Sequence, residues 1–292
     1  MINDEQQIQV VTHSDLDGVV SYLVLCWIHG RRLDVLPTTP MKLQQDYDNL
    51  SSNKTLDRVY FLDLDVSKIG EKIDNKNSVI IDHHKTNLYP YKHAITKIQD
   101  YSSCAKLLYD TFLKNSNKQI TSSQKTLIAL ADDWDSAKKS TPLSEDLNIV
   151  YHSMTNKFNS FVEDYYSGFS QFDKFKQNSI LLYKKHRKEY LDQLTPFFGE
   201  VEFEGNKNIK VGAVFCEKYV QECCDWLLQD CEIAIAVILN QKRIAVRRNA
   251  SSNIDVSKFV QRIASGGGHA AAAGGNLTED FMEFTKMLKL AG

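Results

Sequence analysis

Residues 8–18, IQVVTHSDLDG, decide the fold, because a short apolar run there meets a cluster of polar and acidic side chains and a glycine. The apolar run favours a buried strand, and residues 19–30, VVSYLVLCWIHG, favour a helix. Strand, tight loop and helix in this order are typical of a βαβ unit, which predicts a parallel sheet. Ligands of such sheets collect at the carboxyl ends of the strands. Polar residues that follow a strand are therefore the candidates for a functional site.

Two later apolar segments repeat the pattern. Residues 59–62, VYFL, are followed by Asp63, and residues 79–81, VII, are followed by Asp82. Both are rich in β-branched and aromatic residues, as buried strands are. Because the carboxyl ends of parallel strands lie along one edge of a sheet, we expect the polar residues after these segments to meet there.

The pattern changes along the chain and predicts three parts. Helices that open with serines suited to an N-cap, at 102–114 and 122–133, alternate with strands in an N-terminal parallel-sheet α/β domain, 1–150. A helical linker region follows at 151–200. Strands and helices resume in a smaller C-terminal α/β (α+β) domain, 201–292, which we expect to face the first domain across a cleft.

The composition excludes several classes of protein. The 292 residues include 35 Lys and Arg against 37 Asp and Glu, a net charge of −2, with 42% hydrophobic and 25% charged residues, which is ordinary for a globular protein and excludes intrinsic disorder. No apolar run reaches the ~20 residues of a membrane span, so no membrane partner is predicted. An acidic, polar start and six cysteines without a CxxC pair predict a cytoplasmic, reducing location. A homodimer is left open.

Clusters of Asp and His follow four apolar segments. They are His13, Asp15 and Asp17; Asp63 and Asp65; Asp82, His83 and His84; and Asp132, Asp133 and Asp135. A carboxylate directly after a buried strand is unfavourable unless something offsets its charge. One such residue is commonly a helix cap, but four clusters exceed what folding requires. Two divalent cations ~3.5–4 Å apart would offset the charge, and mixed carboxylate and imidazole ligands suit manganese, iron or zinc better than calcium.

These motifs resemble a known family. The sequence DHH at 82–84 after a short strand, preceded by HSDLDG at 13–18, resembles the DHH phosphoesterase superfamily. The sequences RR at 247–248 and GGGHAAAAGG at 266–275 resemble its DHH-associated C-terminal domain. The size and the order of the motifs are most similar to the short oligoribonucleases (nanoRNases) of this superfamily, which are relatives of the larger RecJ exonucleases.

The resemblance implies two divalent metal ions, usually Mn²⁺, in the first domain. It implies His13 and Asp15 on one ion, Asp17, His83 and Asp132 on the other, and Asp63 bridging the two. His84 would face the scissile phosphate as a catalytic residue, with Asp82 orienting a ligand histidine. One spacing departs from the family, since a single residue separates His13 from Asp15 where some members have three.

Several assignments have a competing interpretation. Asp132 is preferred to Asp133 as the ligand because it comes first after the apolar run LIALA. Asp135 is expected to be a solvated turn residue, and Asp65 a turn or cap residue next to Ser67.

The end of the chain supplies candidates for binding the substrate. Three consecutive glycines leave the backbone free to approach a ligand and to direct N–H groups at an anion, as in a nest. Arginine can grip a phosphate with two parallel hydrogen bonds. The candidate residues are Arg247, Arg248, Gly266, Gly267, Gly268 and His269.

The resemblance, with these residues in place, implies a manganese-dependent phosphodiesterase, an exonuclease that hydrolyses short single-stranded RNA or dinucleotides to nucleoside monophosphates. Two-metal activation of a water molecule would supply the nucleophile. The alternatives within enzymes are a cyclic dinucleotide phosphodiesterase, a phosphoadenosine phosphate phosphatase and a RecJ-like single-stranded DNA exonuclease. A nucleotide-binding regulator that has lost catalysis is the alternative outside enzymes, and it predicts eroded ligand positions, of which the sequence shows none.

Overall fold

The computed structural model describes residues 7–51, 56–114 and 116–279, without the side chains of Ser51 and His269. Among these residues, contacts divide the chain into two compact units, and the division falls between Leu181 and Leu182. The boundaries predicted at residues 150 and 200 stay predictions. No described helix has the length and apolar character needed to cross a membrane.

The first unit is built on five strands that are all parallel, in the order β2-β1-β3-β4-β5. Their bounds are β1 Ile8–His13, β2 Asp34–Thr38, β3 Arg58–Leu62, β4 Ser78–Asp82 and β5 Ile95–Ile98. The three central strands carry the apolar runs of the sequence and are almost wholly buried, as parallel strands covered on both faces are. This confirms the predicted parallel-sheet fold.

Seven helices belong wholly to the described part of this unit. They are α1 Leu16–His29, α2 Leu43–Ser51, α3 Gly70–Ile73, α4 Cys104–Leu108, α5 Ser122–Asp135, α6 Pro142–Ser153 and α7 Lys157–Tyr165. A short 3₁₀ turn, Ser67–Ile69, precedes α3, and α4 runs on into a π-helical turn, Tyr109–Leu113. Helix α5 begins with a capping box in which Thr121 and Gln124 bond reciprocally, so its start is well defined.

Helix α1 begins very close to the end of β1, and Gly18 makes this possible. A Cβ atom at Gly18 would lie 2.1 Å from the carbonyl oxygen of His13, a distance that no side chain can occupy. The hydroxyl of Thr12 donates to the carbonyl of Gly18 at 2.9 Å and ties the two elements together. The connection between β1 and α1 is therefore tight, and His13, Asp15 and Asp17 lie within five consecutive residues across it.

The second unit contains a mixed six-stranded sheet in the order β10-β11-β9-β8-β7-β6. Helix α8, Lys174–Leu191, spans the division, and the other elements are β6 Phe197–Phe203, β7 Asn206–Phe215, α9 Val220–Leu227, β8 Ile233–Ile238, β9 Arg243–Arg248, α10 Val256–Ile263, β10 Ser265–His269 and β11 Ala272–Asn276. Only β7 and β8 run parallel, and α10 packs against the core that includes β8 and β9. The predicted α/β character of this part is confirmed.

Candidate metal centre

The carboxyl ends of β1, β3 and β4, together with the last residue of α5, bring the Asp and His side chains together. They form three overlapping groups, and in each group one ligand atom per residue lies within 4.8 Å of the others. The groups are Asp63, His83 and His84; His13, Asp15 and Asp63; and Asp17, His83 and Asp135. The sequence predicted this meeting of strand ends.

Asp63 lies at the centre of the cluster. Its Oδ1 lies 3.1 Å from Nε2 of His83, and its Oδ2 lies 3.7 Å from Nδ1 of His13. The residue is 2% exposed, and Oδ2 accepts no hydrogen bond from the described residues. Since buried carboxylate oxygens are normally paired, this orphaned oxygen fits a cation ligand.

The backbone of Asp63 is also unusual. Its φ of 56° lies in the left-handed region, directly after β3 ends, and its N–H donates to the carbonyl of Ile81 at 3.1 Å. Asp and Asn tolerate this conformation better than other residues with a Cβ. Strained backbone of this kind concentrates at functional sites, and here it turns the carboxylate towards both neighbouring groups.

His13 and Asp15 form the group on one side of Asp63. Nδ1 of His13 lies 2.7 Å from Oδ2 of Asp15, while Oδ1 of Asp15 accepts from the N–H of Gly18 and caps α1. Burial disfavours a charged His13, but the hydrogen bonds and charges of Asp15 and Asp63 outweigh it and raise the pKa of His13 to about 10. The raised pKa reflects the negative charge of Asp15 and Asp63, which would also attract a cation.

Asp17, His83 and Asp135 form the group on the other side. Nε2 of His83 lies 3.9 Å from Oδ2 of Asp17 and 3.5 Å from Oδ2 of Asp135. Asp17 also accepts from the backbone N–H groups of Cys104 and Ala105, at 2.7 and 3.0 Å, in the first turn of α4.

Like charges are crowded in this group. Burial, then the charge of Asp63, raises the pKa of Asp135 to about 7, and burial followed by the charges of Asp63 and Asp135 raises the pKa of Asp17. Burial opposes the charge on His83, but Asp63, Asp17 and Asp135 outweigh it and raise its pKa to about 10. Three carboxylates thus surround one imidazole, and a divalent cation would neutralise their excess negative charge.

Asp82 has a different environment and orients His84. It is buried and accepts from the backbone N–H groups of His83 and His84, from Nδ1 of His84 at 2.7 Å and from Nδ2 of Asn87 at 2.9 Å. Burial opposes its charge, but these hydrogen bonds, that of His84 first, outweigh it and lower the pKa of Asp82. With its hydrogen bonds taken by neighbours, Asp82 holds His84 in position.

The structure does not bring Asp132 into the cluster. Its Oδ1 accepts from the hydroxyls of Ser102 and Ser103, and its Oδ2 lies 3.4 Å from Nζ of Lys138. The residue that joins the cluster is Asp135, one helical turn further along α5. Asp135 was expected to be a solvated turn residue, but its side chain is 26% exposed and faces His83.

Asp65 and Asp133 have structural partners instead. Asp65 accepts from the backbone N–H and the hydroxyl of Ser67, as a turn residue does. Asp133 accepts from the N–H and the hydroxyl of Ser140, from the hydroxyl of Ser144 at 2.6 Å and from the N–H of Thr141 at 3.4 Å. Asp133 therefore ties α5 to the start of α6.

We expect Asp133→Asn to destabilise the fold and to leave the cluster of Asp and His side chains unchanged. Burial opposes the charge on Asp133, but the hydrogen bonds from Ser140 and Ser144 outweigh it and lower its pKa from 3.8 to about 2. Its charge therefore stabilises the folded state at neutral pH, and this contribution is lost as the pH falls from about 4 towards 2. Losing charged hydrogen bonds should lower the free energy of unfolding by about 1–3 kcal/mol at pH 7. Urea unfolding should show this difference at pH 7 and a smaller one at pH 3, and an equal difference at both would contradict the assignment.

The two candidate arginines of the second unit differ sharply. Nε of Arg248 donates to the carbonyl of Ala270 at 3.2 Å, and its Nη1 donates to the carbonyls of Asn249 and Ser252. Nε of Arg247 is buried and has no hydrogen-bond partner among the described residues. Arg248 is thus used by the fold, whereas the described residues leave Nε of Arg247 unpaired.

The glycine-rich stretch forms an edge strand, β10, instead of the expected nest. Pairing with β11 extends its backbone, and Gly266 is required because a Cβ there would lie 2.1 Å from the carbonyl oxygen of Gly274. At Gly267 an added Cβ would meet no heavy atom within 4 Å, so that position is open, and Gly268 has a positive φ of 150°. The prediction for the side chain of His269 lies outside the described part of the chain; its backbone pairs with Ala272.

Comparison with known proteins matches this architecture. Residues 7–131 match the N-terminal domain of the DHH family, and residues 207–291 match the DHHA1 domain. Oligoribonuclease NrnB of Bacillus subtilis (strain 168) is 24% identical over 93% of this chain and 73% of its own.

Solved structures show the same fold. A pGpG-specific phosphodiesterase, PggH from Vibrio cholerae, superposes with a TM-score of 0.60 at 17% identity over 97% of this chain and 98% of its own. The exonuclease RecJ bound to manganese gives 0.55 at 13% identity over 96% and 88%. With both models matched in order, the chain carries the N-terminal domain of the DHH family followed by a DHHA1 domain.

Proposed function

We propose that this chain is a divalent-metal-dependent phosphodiesterase that hydrolyses very short oligoribonucleotides, dinucleotides included, to nucleoside monophosphates. The observation that carries the proposal is the position of Asp63, whose two oxygens face the two ligand groups and whose Oδ2 accepts no hydrogen bond from the described residues. The likeness to NrnB and PggH supports a short RNA or dinucleotide as the substrate.

The proposed ligands are drawn from the three overlapping groups of side chains, with His84 left out for a catalytic role. We assign His13 and Asp15 to one cation, Asp17, His83 and Asp135 to the other, and Asp63 to both. The mixture of carboxylate oxygens and imidazole nitrogens favours Mn²⁺ over Ca²⁺, and RecJ has been solved with manganese. Asp135 replaces Asp132 in this assignment because it alone of the two approaches His83.

Two bound divalent cations supply a water of lowered pKa and neutralise charge on the phosphate. The protein supplies the geometry. Asp63 fixes the two ligand groups at a common centre, and the backbone N–H groups of α4 hold Asp17 in place. Because these contacts exist before the substrate binds, little reorganisation accompanies the reaction.

His84 is the proposed catalytic residue beside the cations. Burial opposes its charge, but the hydrogen bond and charge of Asp82 outweigh it and raise the pKa of His84. With Nδ1 held by Asp82 at 2.7 Å, a protonated ring would present Nε2–H to a non-bridging oxygen of the scissile phosphate. That hydrogen bond would strengthen as negative charge develops in the transition state.

Arg247 is the proposed phosphate-binding residue of the DHHA1 domain. Its Nε, which has no partner among the described residues, suits a phosphate group of the substrate. Gly267, beside open space, and the backbone of β10 are proposed to admit the substrate closely. The described residues give no comparable support for substrate binding by Arg248, Gly266, Gly268 and His269. Arg248 and Gly266 are needed by the fold itself, for a hydrogen bond and for close strand pairing.

Short substrates are favoured over long strands by charge. Strong binding of a long backbone needs many Lys and Arg contacts, and the chain has a net charge of −2. A cytoplasmic location and a homodimer stay predictions.

A substrate panel tests the proposed function. End-labelled RNA and DNA of two to about twenty nucleotides, cyclic dinucleotides and phosphoadenosine phosphate are incubated with the protein and Mn²⁺, with and without a chelator. We expect the shortest RNAs to be cleaved fastest and the chelator to abolish cleavage. Fastest degradation of long DNA would favour a RecJ-like exonuclease, and preference for a cyclic dinucleotide or for phosphoadenosine phosphate would identify those alternatives. Tight nucleotide binding without turnover would favour the regulator.

A further inference from the structure

Asp132 is buried next to the cluster without belonging to it, and its hydrogen bonds lead to two proposed ligands. It is 9% exposed, and its Oδ1 accepts from two adjacent hydroxyls, those of Ser102 and Ser103. A carboxylate that accepts two hydroxyls and lies 3.4 Å from an ammonium group, that of Lys138, has its hydrogen-bonding capacity largely used within the protein. It is therefore suited to holding neighbouring residues in place.

The first connection runs through Ser103 to Asp17. Ser103 caps α4 by accepting from the N–H of Lys106 at 3.2 Å, so its hydroxyl fixes the start of that helix. The first two N–H groups of the helix, those of Cys104 and Ala105, donate to Asp17. The position of Asp17 thus depends on where Asp132 holds the cap.

The second connection runs through Ser102 to His83. The residue before Ser102 is Tyr101, whose carbonyl lies 3.2 Å from Nδ1 of His83. That contact directs Nε2 of His83 towards Asp63, 3.1 Å away. A metal-binding histidine is normally oriented in this way, by a partner on its other ring nitrogen.

We infer that Asp132 is a positioning residue, which through Ser102 and Ser103 sets the places of His83 and Asp17, two proposed ligands of one cation. The inference rests on the proposed metal site. A single carboxylate thereby fixes two ligands that are separated by 66 positions in the chain, one after β1 and the other after β4. Loss of outer partners of this kind typically lowers metal affinity by about 10–100-fold.

Two substitutions separate this role from that of a ligand. In Asp132→Asn the amide oxygen can still accept from both serines, whereas Asp132→Leu keeps the bulk and removes the acceptors. The matched control is Asp133→Leu, since Asp133 is the adjacent buried carboxylate and is also bonded to hydroxyls, those of Ser140 and Ser144. Ser102→Ala removes one connection and serves if Asp132→Leu does not fold.

Mn²⁺ titration calorimetry is the first measurement. We expect Asp132→Leu to raise the Kd for Mn²⁺ by at least about 10-fold, and Asp132→Asn and Asp133→Leu by less than about 3-fold. Ser102→Ala should weaken binding on its own and add less in the Asp132→Leu background than in the wild type. Equal losses in the Asn and Leu variants would make Asp132 a ligand, and wild-type affinity in the Leu variant would make it merely structural; either result overturns the inference.

A second measurement does not depend on the metal. In chelated protein with ¹⁵N-labelled histidine, the Nδ1 proton of His83 should exchange slowly in the wild type and in Asp132→Asn, and rapidly in Asp132→Leu. If the wild type binds no Mn²⁺, the proposed function fails while this signal still tests the connection to His83. Unchanged exchange in Asp132→Leu would refute that connection.

Discussion

Asp63→Asn is expected to abolish hydrolysis while the protein stays folded. The substitution removes the charge of the side chain that faces both ligand groups and leaves one neutral oxygen in place of two charged ones, so the two cations can no longer share it. Loss of one well-placed charge-stabilising group typically lowers kcat by about 10²–10³-fold, and a shared ligand should cost at least that. Single-turnover cleavage of a labelled diribonucleotide in saturating Mn²⁺ measures the effect.

The stability of the chelated protein should change little. The charge of Asp63 raises the pKa of Asp17 and of Asp135 but also that of His13 and of His83, so removing it relieves repulsion and loses attraction together. We therefore expect the Tm of chelated Asp63→Asn to stay near that of the wild type. Mn²⁺ at about 100 times its Kd should stabilise the wild type by about 2.7 kcal/mol, or about 5–10 °C, and the variant far less.

Asparagine is the informative replacement because of the backbone. The φ of 56° at residue 63 is tolerated by Asn, whereas alanine would add strain of about 1 kcal/mol or more. Asp65→Asn is the matched control, since Asp65 bonds only within its own turn, to Ser67. Full activity of Asp63→Asn, or equal loss in Asp65→Asn, would contradict the proposed role of Asp63.

Arg247→Met is expected to weaken substrate binding and leave metal binding unchanged. The buried Nε of Arg247 lacks a partner among the described residues, and a charged hydrogen bond to phosphate contributes about 1.5–3 kcal/mol. KM should rise by about 10–100-fold with little change in kcat, since a bond made equally in the ground state and the transition state affects KM alone. The Kd for Mn²⁺ should match that of the wild type in titration calorimetry.

Arg248→Met provides the matched control for that experiment. Arg248 donates to three backbone carbonyls around the β9 end, those of Asn249, Ser252 and Ala270. Its loss should lower the Tm and leave KM near the wild-type value. If Arg248→Met raises KM and Arg247→Met does not, the assignment of the phosphate-binding arginine is reversed.

The central part of the fold was predictable from the sequence because its strands are buried on both faces. Continuous apolar runs mark β1, β3 and β4, and turn residues bound them. The edge strands β2 and β5 are short and largely exposed or half-buried, and β2 contains a proline. The sequence therefore shows no apolar pattern that would predict them. Their places in the sheet depend on pairing with distant strands, which local propensity does not encode.

The site was predictable where it follows strand ends and less so where it depends on a helix. His13 ends β1, Asp17 lies in the first turn of the helix that follows, and Asp63 and His83 come directly after β3 and β4. The structure brings all four together. In ALADDWD, three carboxylates lie within four positions, and order along the chain favoured the first. The helical repeat places Asp132 and Asp135 one turn apart on α5, so only the rotation of that helix against the sheet decides which one reaches His83.

The glycine-rich motif shows a further limit of sequence patterns. Consecutive glycines are compatible with a loop, a nest or a strand, because each residue lacks the Cβ that would restrict it. What decides the matter here is the partner strand, since Gly266 lies against Gly274 and Gly275. Two glycine pairs on facing strands are a signal of close backbone approach that spacing within one motif does not show.

The contact at Gly18 gives the metal centre an adjustable spacing. Because the carbonyl oxygen of His13 occupies the space where a side chain at residue 18 would begin, any replacement must push the start of α1 away from β1. That displacement would carry Asp17 away from His13 while every donor atom stays chemically intact. Graded enlargement, Gly18→Ala and then Gly18→Ser, would thus change the spacing between the two proposed ligand groups without altering a single donor atom.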